Sequence, residues 1–282
     1  AIYTMKVVYL LPKMVEAGTR DINDDWSMVV DLTENLDSPV SYYACKDIER
    51  IENAVNKYIR STFMLHAVQQ YKRCNIDEAL RVLKEENNNS DAYYRVKLEV
   101  IENTLPGKDE KEFDKLDFAE MLSLFPEEDY FNKLIHIYEK SIVANRVYKY
   151  FPAFIDCVSM KNSPSMLLAD SRSRRHPRRG VLGSKLLETL VQLLVLRQKE
   201  DGSYETHSLS IEDLASEISN RYGLIINGVH EKRFADADVE MNAAFKVNMD
   251  AFKNKLRQIG FYTDMSDACI LQKIRPRYKL DE

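Results

Sequence analysis

From Lys46 onward, Ile48, Ile51, Val55, Ile59, Phe63 and Ala67 recur at steps of three and four residues. Glu49, Arg50, Asn53, Lys57 and Arg60 fall on the opposite face. Such a pattern fits one long amphipathic helix, buried along one stripe and solvated along the other. The chain offers few interruptions to helix, with only 8 Gly and 8 Pro in 282 residues. Further helical stretches follow: "NIDEALRVLKEE" over 75–86, a segment over 91–103, "LDFAEMLSLF", and a helix after Pro126 carrying Tyr130, Leu134, Ile137, Ser141, Ala144 and Tyr148 on one side. Proline suits the first turn of a helix, and Glu127, Glu128 and Asp129 suit its positive end. "WSMVVDLT" over 26–33 has the composition of a short strand, and the opening "AIYTMKVVYLLPKM" fits a strand or a helix end.

Charge divides the chain. Residues 1–169 hold 21 basic against 28 acidic side chains, whereas residues 170–282 hold 19 against 17. The change coincides with "SRSRRHPRRG", residues 171–180, where Arg172, Arg174, Arg175, Arg178 and Arg179 crowd together. Ser, Pro and Gly around this run give it the character of a linker. Cys45, Cys74, Cys157 and Cys269 have neither zinc nor redox spacing, so they are expected to be buried free thiols in a reducing cytoplasmic compartment. His66, His136, His176, His207 and His230 include no pair at ligand spacing. The acids of "HEKRFADADVE" are better explained as a loop leading to a helix start than as a metal site. No phosphate-cradling glycine loop, Ser–His–Asp order or paired-cysteine cluster is visible. The sequence therefore points to no catalytic residue, no metal, no cofactor and no enzymatic activity of its own, with a fragment or subunit of a larger enzyme whose active site lies elsewhere left open. The apolar run at 186–196 is too short to span a bilayer, and no targeting peptide is visible. Ala1 in place of Met suggests a fragment, a processed chain or a renumbered one.

The carboxy-terminal third is the most legible region. A helix over 183–198 carries Leu186, Leu187, Leu190, Val191, Leu193 and Leu194 around much of its circumference, which predicts deep burial. "KEDGSYETHS" is a turn or short ribbon. Ser210 with Asp213 three residues later, and Gly223 at the end, bound a short helix with Ile211, Leu214, Ala215 and Ile218 inward. After a loop over 224–235, a longer helix runs through 238–259 with Phe245, Met249, Phe252, Leu256 and Ile259 as its core stripe. Gly260 ends it, and "FYTDMSDACILQKI" reads as two strands around a polar turn.

Helix, short helix, long helix and closing ribbon resemble the winged helix-turn-helix fold over about 183–275, with "LRQIGFYTDMSDACILQKI" similar to its third helix, glycine break and wing. No more specific family is recognised. The expected fold is mainly α: a helical amino-terminal domain over 1–160, an Arg-rich linker over 161–180, and a winged-helix domain with a small β-ribbon over 181–282. The resemblance implies a third helix in the major groove of duplex DNA and a wing on its backbone. Asn242, Lys246, Lys253 and Arg257 share the solvent side of that helix, Asn242 for a base edge and the cations for phosphates. Asp250, Asp264 and Asp267 oppose such contact, while Lys273, Arg275 and Arg277 favour it. Arg172, Arg174, Arg175, Arg178 and Arg179 then read as an electrostatic arm on double-stranded DNA. The alternative is a protein-binding winged-helix adaptor in a multiprotein assembly. In both readings the amino-terminal helices bind a protein partner or a second copy, and no membrane is involved.

Overall fold

The computed structural model describes the chain except residues 86–90, 106–114, 127, 141–146, 160–162, 170–177, 208, 263–273 and 275–282. The backbone forms two compact units. One gathers Ala1–Tyr3, Asp25–Ile51 and Ile155–Glu282; the other gathers Thr4–Asp24 and Glu52–Phe154.

Among its described residues, the regular elements of the second unit are all helices. It takes most of α1 (Ile2–Ala17) and the later part of α2 (Pro39–Lys72), then α3 (Ile76–Lys84), α4 (Asp91–Thr104), α5 (Lys115–Leu124), α6 (Tyr130–Tyr138) and the first half of α7 (Tyr148–Val158). The stripe beginning at Ile48 thus lies on one helix of 34 residues. Asn75 caps α3 by accepting from the Glu78 amide, and Asp129 caps α6 by accepting from the Asn132 amide. Leu65, Val68, Leu80, Tyr94, Leu98, Phe118, Phe131, Leu134 and Ile135 form the core of this unit. The opening residues, left between strand and helix by their composition, are helical, with Pro12 inside α1.

The first unit contains the winged-helix-like segment. Its helices are α8 (Ser184–Val195), α9 (Ile211–Tyr222) and α10 (Val239–Gln258), and a small antiparallel hairpin of β2 (Leu196–Gln198) and β3 (Tyr204–Thr206) joins the first two. Ser210 accepts from the Asp213 amide at the start of α9, and Gly223 ends it at φ 69°. α10 buries Met241, Ala244, Phe245, Met249, Phe252 and Leu256. α8 buries Leu187, Leu190, Val191, Leu194 and Val195, but Leu193 is 49% exposed, so the helix has one solvated flank. The ribbon expected after Gly260 lies almost wholly outside the described residues. Ile274, which is described, donates its amide to the Leu209 carbonyl at 2.8 Å, so the chain returns beside the residue preceding the α9 cap.

Residues 28–31 run through the middle of this unit. β1 (Met28–Val29), inside the strand expected over 26–33, pairs in parallel with β4 (Leu224–Ile225). Asp31 bridges in parallel to Val181, and Leu168 bridges to Gly180 in antiparallel register. Asn248 on α10, fully buried, seals the arrangement. Its amide oxygen accepts from Leu32 N, and its amide nitrogen donates to the carbonyls of Val30 and Ile226. A core polar group is tolerated when each of its hydrogen-bonding atoms is satisfied, as here.

Candidate functional site

Two features of the first unit carry chemistry: the outward face of α10 and a charged cavity beneath residues 31–34.

On α10, Asn242, Lys246 and Arg257 are exposed and Lys253 is half-buried, opposite the core stripe. The Lys253 ammonium lies 3.8 Å from the Glu212 carboxylate on α9. The Arg257 guanidinium donates to Asn254 Oδ1 at 3.1 Å and lies over the Tyr262 ring. The Asn242 side chain donates to the Ala237 carbonyl at 3.2 Å. Glu240 and Asp250 share the exposed surface, as do Val239 and Val247. Asp236 and Asp238 belong to the helix start, where Asp238 accepts from the Met241 amide at 2.8 Å. Among the described residues no group of acids, histidines and cysteines is arranged to hold a metal.

The arginine run separates into three members beyond the described residues (Arg172, Arg174 and Arg175) and two inside the fold. Arg178 pairs with Asp156 on α7. Arg179 is 8% exposed, and its Nε donates to Asp31 Oδ2 at 2.9 Å. Asp31 is itself buried and accepts from the Thr33 amide and hydroxyl. Backbone bonding holds the end of the run in the fold: Ala169 N donates to Arg179 O and Asp31 N to Gly180 O. Arg178 and Arg179 are therefore structural ion-pair partners rather than members of a solvated arm. Lys273, Arg275 and Arg277 lie outside the described residues.

Around the Asp31–Arg179 pair is a cavity of about 230 Å³, lined also by Leu32, Glu34, Leu36, Met166, Val181 and Lys255. Burial pushes the Lys255 ammonium below its ordinary pKa, against the opposing pull of Glu34 and Asp31. Glu34 holds φ 58°, the left-handed region that a residue with a Cβ rarely adopts. A second ion pair joins buried Asp47 to the solvent-exposed Arg233. Asp47 accepts from Val29 N at 2.8 Å and receives both Nη groups of Arg233 at 2.7 and 2.8 Å.

Neither Asp31 nor Lys255 was singled out from sequence. Their signals were faint: an acid ending an apolar run in "SMVVD", and a lysine flanking the core stripe of α10.

A family model described as methylation-associated defense system protein MAD7 matches residues 1–278. The chain belongs to the MAD7 family. No curated protein and no solved structure matches it. Membership corrects two expectations. A specific family is recognisable, and it spans nearly the whole chain rather than its last third. The expectation of a chain without enzymatic activity is also overturned by membership in a defence-system family, since it rested only on not finding familiar catalytic motifs. No helix among the described residues is long and apolar enough to cross a membrane, and Cys45, Cys74 and Cys157 are free thiols but not buried as expected, Cys45 and Cys74 being partly exposed and Cys157 exposed.

Proposed function

We propose that this MAD7-family chain acts in its defence system as a subunit that grips duplex DNA with its winged-helix-like segment, within a reducing cytoplasm. The observation that supports this reading is the sidedness of α10. Its apolar stripe is sunk in the core, while Lys246, Arg257, Asn242 and the partly screened Lys253 face outward. Lys246, Lys253 and Arg257 contact phosphates and Asn242 a base edge. Arg172, Arg174 and Arg175 ahead of α8, with Lys273, Arg275 and Arg277 after α10, add phosphate contacts that carry little sequence information. The amino-terminal helices serve a protein partner or a second copy.

One observation favours the adaptor as a second reading. Val239 is 86% and Val247 56% exposed on the same helix, beside Glu240 and Asp250, a surface better suited to a protein than to a polyanion. A mobility-shift assay on random duplex at two salt concentrations separates the readings. The DNA reading expects binding that weakens steeply with salt, and a shallower dependence when Arg172, Arg174 and Arg175 are replaced by Ala. No shift at low salt overturns it in favour of the adaptor.

A further inference from the structure

We propose that the cavity between Asp31 and Lys255 binds a terminal phosphoryl group, carried by a small phosphate monoester or by the end of a nucleic-acid strand. Two cations, Arg179 and Lys255, line the cavity beside the acids Asp31 and Glu34. Arg179 commits its Nε to Asp31, and among the described residues neither of its Nη groups has a protein partner, although the side chain is nine-tenths buried. The Lys255 ammonium lines the same space and makes no hydrogen bond or ion pair with any described residue. Burial depresses the Lys255 pKa in spite of the pull of Glu34 and Asp31, so its charge is only partly compensated. The acids present do not meet this need. Asp31 is occupied by Arg179 and Thr33, and Glu34 is exposed at the rim on a left-handed backbone. Strained backbone of this kind concentrates at ligand sites.

The donor set selects the ligand class. A guanidinium fork presents two N–H groups to two oxygens of one anion, and an ammonium adds a third donor from another direction. Three terminal oxygens of a phosphate monoester satisfy that set, whereas a carboxylate satisfies the fork alone. A volume of about 230 Å³ lies below the size of drug-binding pockets and suits a compact ester. Leu32, Leu36, Met166 and Val181 supply apolar wall for its organic part. None of these residues belongs to the α10 stripe assigned to duplex binding, so the two proposals fail separately.

Titration calorimetry and thermal shift on the full chain at low salt test the site with four probes: inorganic phosphate, adenosine 5′-monophosphate, a 5′-phosphorylated dinucleotide and its 5′-hydroxyl counterpart. Saturable binding and a raised Tm are expected with phosphorylated probes and not with the hydroxyl dinucleotide. Binding of phosphate and the mononucleotide identifies a free ester as the source; binding of the phosphorylated dinucleotide alone identifies a strand end. Lys255→Gln, which relieves a desolvated charge and so should fold, is expected to weaken binding about tenfold, and Lys255→Arg to restore part of it. Absence of binding by every phosphorylated probe, equal binding of the hydroxyl dinucleotide, or wild-type affinity in Lys255→Gln overturns the proposal.

Discussion

Replacing Asn248 by Ala should destabilise the first unit by about 3–5 kcal/mol. Three hydrogen bonds vanish: from Leu32 N at 2.9 Å, and to the carbonyls of Val30 and Ile226 at 3.0 and 2.8 Å. A buried donor left without an acceptor costs about 1–3 kcal/mol, and each carbonyl that loses its donor about 1 kcal/mol. Asn248 is fully buried, so water does not replace these partners without opening the core. Trp26, the single tryptophan, is 6% exposed in the same unit and donates its indole N–H to Tyr222 O, so its fluorescence reports the unfolding of interest. With an m value of about 2 kcal/mol/M in urea, the Trp26 midpoint should fall by about 2 M. Asn248→Asp sharpens the test. It keeps an acceptor for Leu32 N but turns a carboxylate towards two carbonyls, so its folded pKa rises above the unfolded value of about 4. Stability is then present below about pH 4 and lost as pH rises through the folded pKa, so this variant approaches wild type on acidification. A midpoint shift below about 0.5 M for Asn248→Ala would refute the reasoning, because it would mean that the clamp between α10 and residues 30–32 contributes little.

Further outcomes follow from the same unit. Asp47→Ala leaves the Val29 amide without its buried acceptor and releases the solvent-exposed Arg233 guanidinium, and should cost about 1–3 kcal/mol in the same urea titration. Gly223→Ala places a Cβ 2.5 Å from the Trp26 ring at a φ of 69°, and should lower the Tm while shifting the Trp26 emission. Glu212→Gln releases Lys253 from its 3.8 Å partner and should tighten duplex binding by about two- to fivefold in fluorescence anisotropy, the scale of an exposed ion pair.

What the sequence revealed was mostly local. Ser210, Asp213 and Gly223 bound α9 because cap chemistry acts within one turn, and the stripe through Phe245, Met249, Phe252 and Leu256 gives α10 because burial repeats with the helix. The pairing of Met28 with Leu224 joins segments almost two hundred residues apart, and no local pattern encodes it. Arg178 and Arg179 illustrate the same limit: a run of arginines advertises charge, while the acids that claim its end, buried Asp31 and partly exposed Asp156, lie 148 and 22 residues away. Asn248 was hidden by its place inside an apolar stripe, where an amide looks like an interruption until its three backbone partners are known.

The salt dependence of duplex binding by the Lys246→Ala, Lys253→Ala, Arg257→Ala triple variant tests the DNA-gripping role of α10 most directly. Each phosphate contact contributes about 0.9 to the slope of log K against log salt. The account predicts that the triple variant loses close to three such contributions relative to the unaltered chain. A slope unchanged by the three substitutions would contradict it.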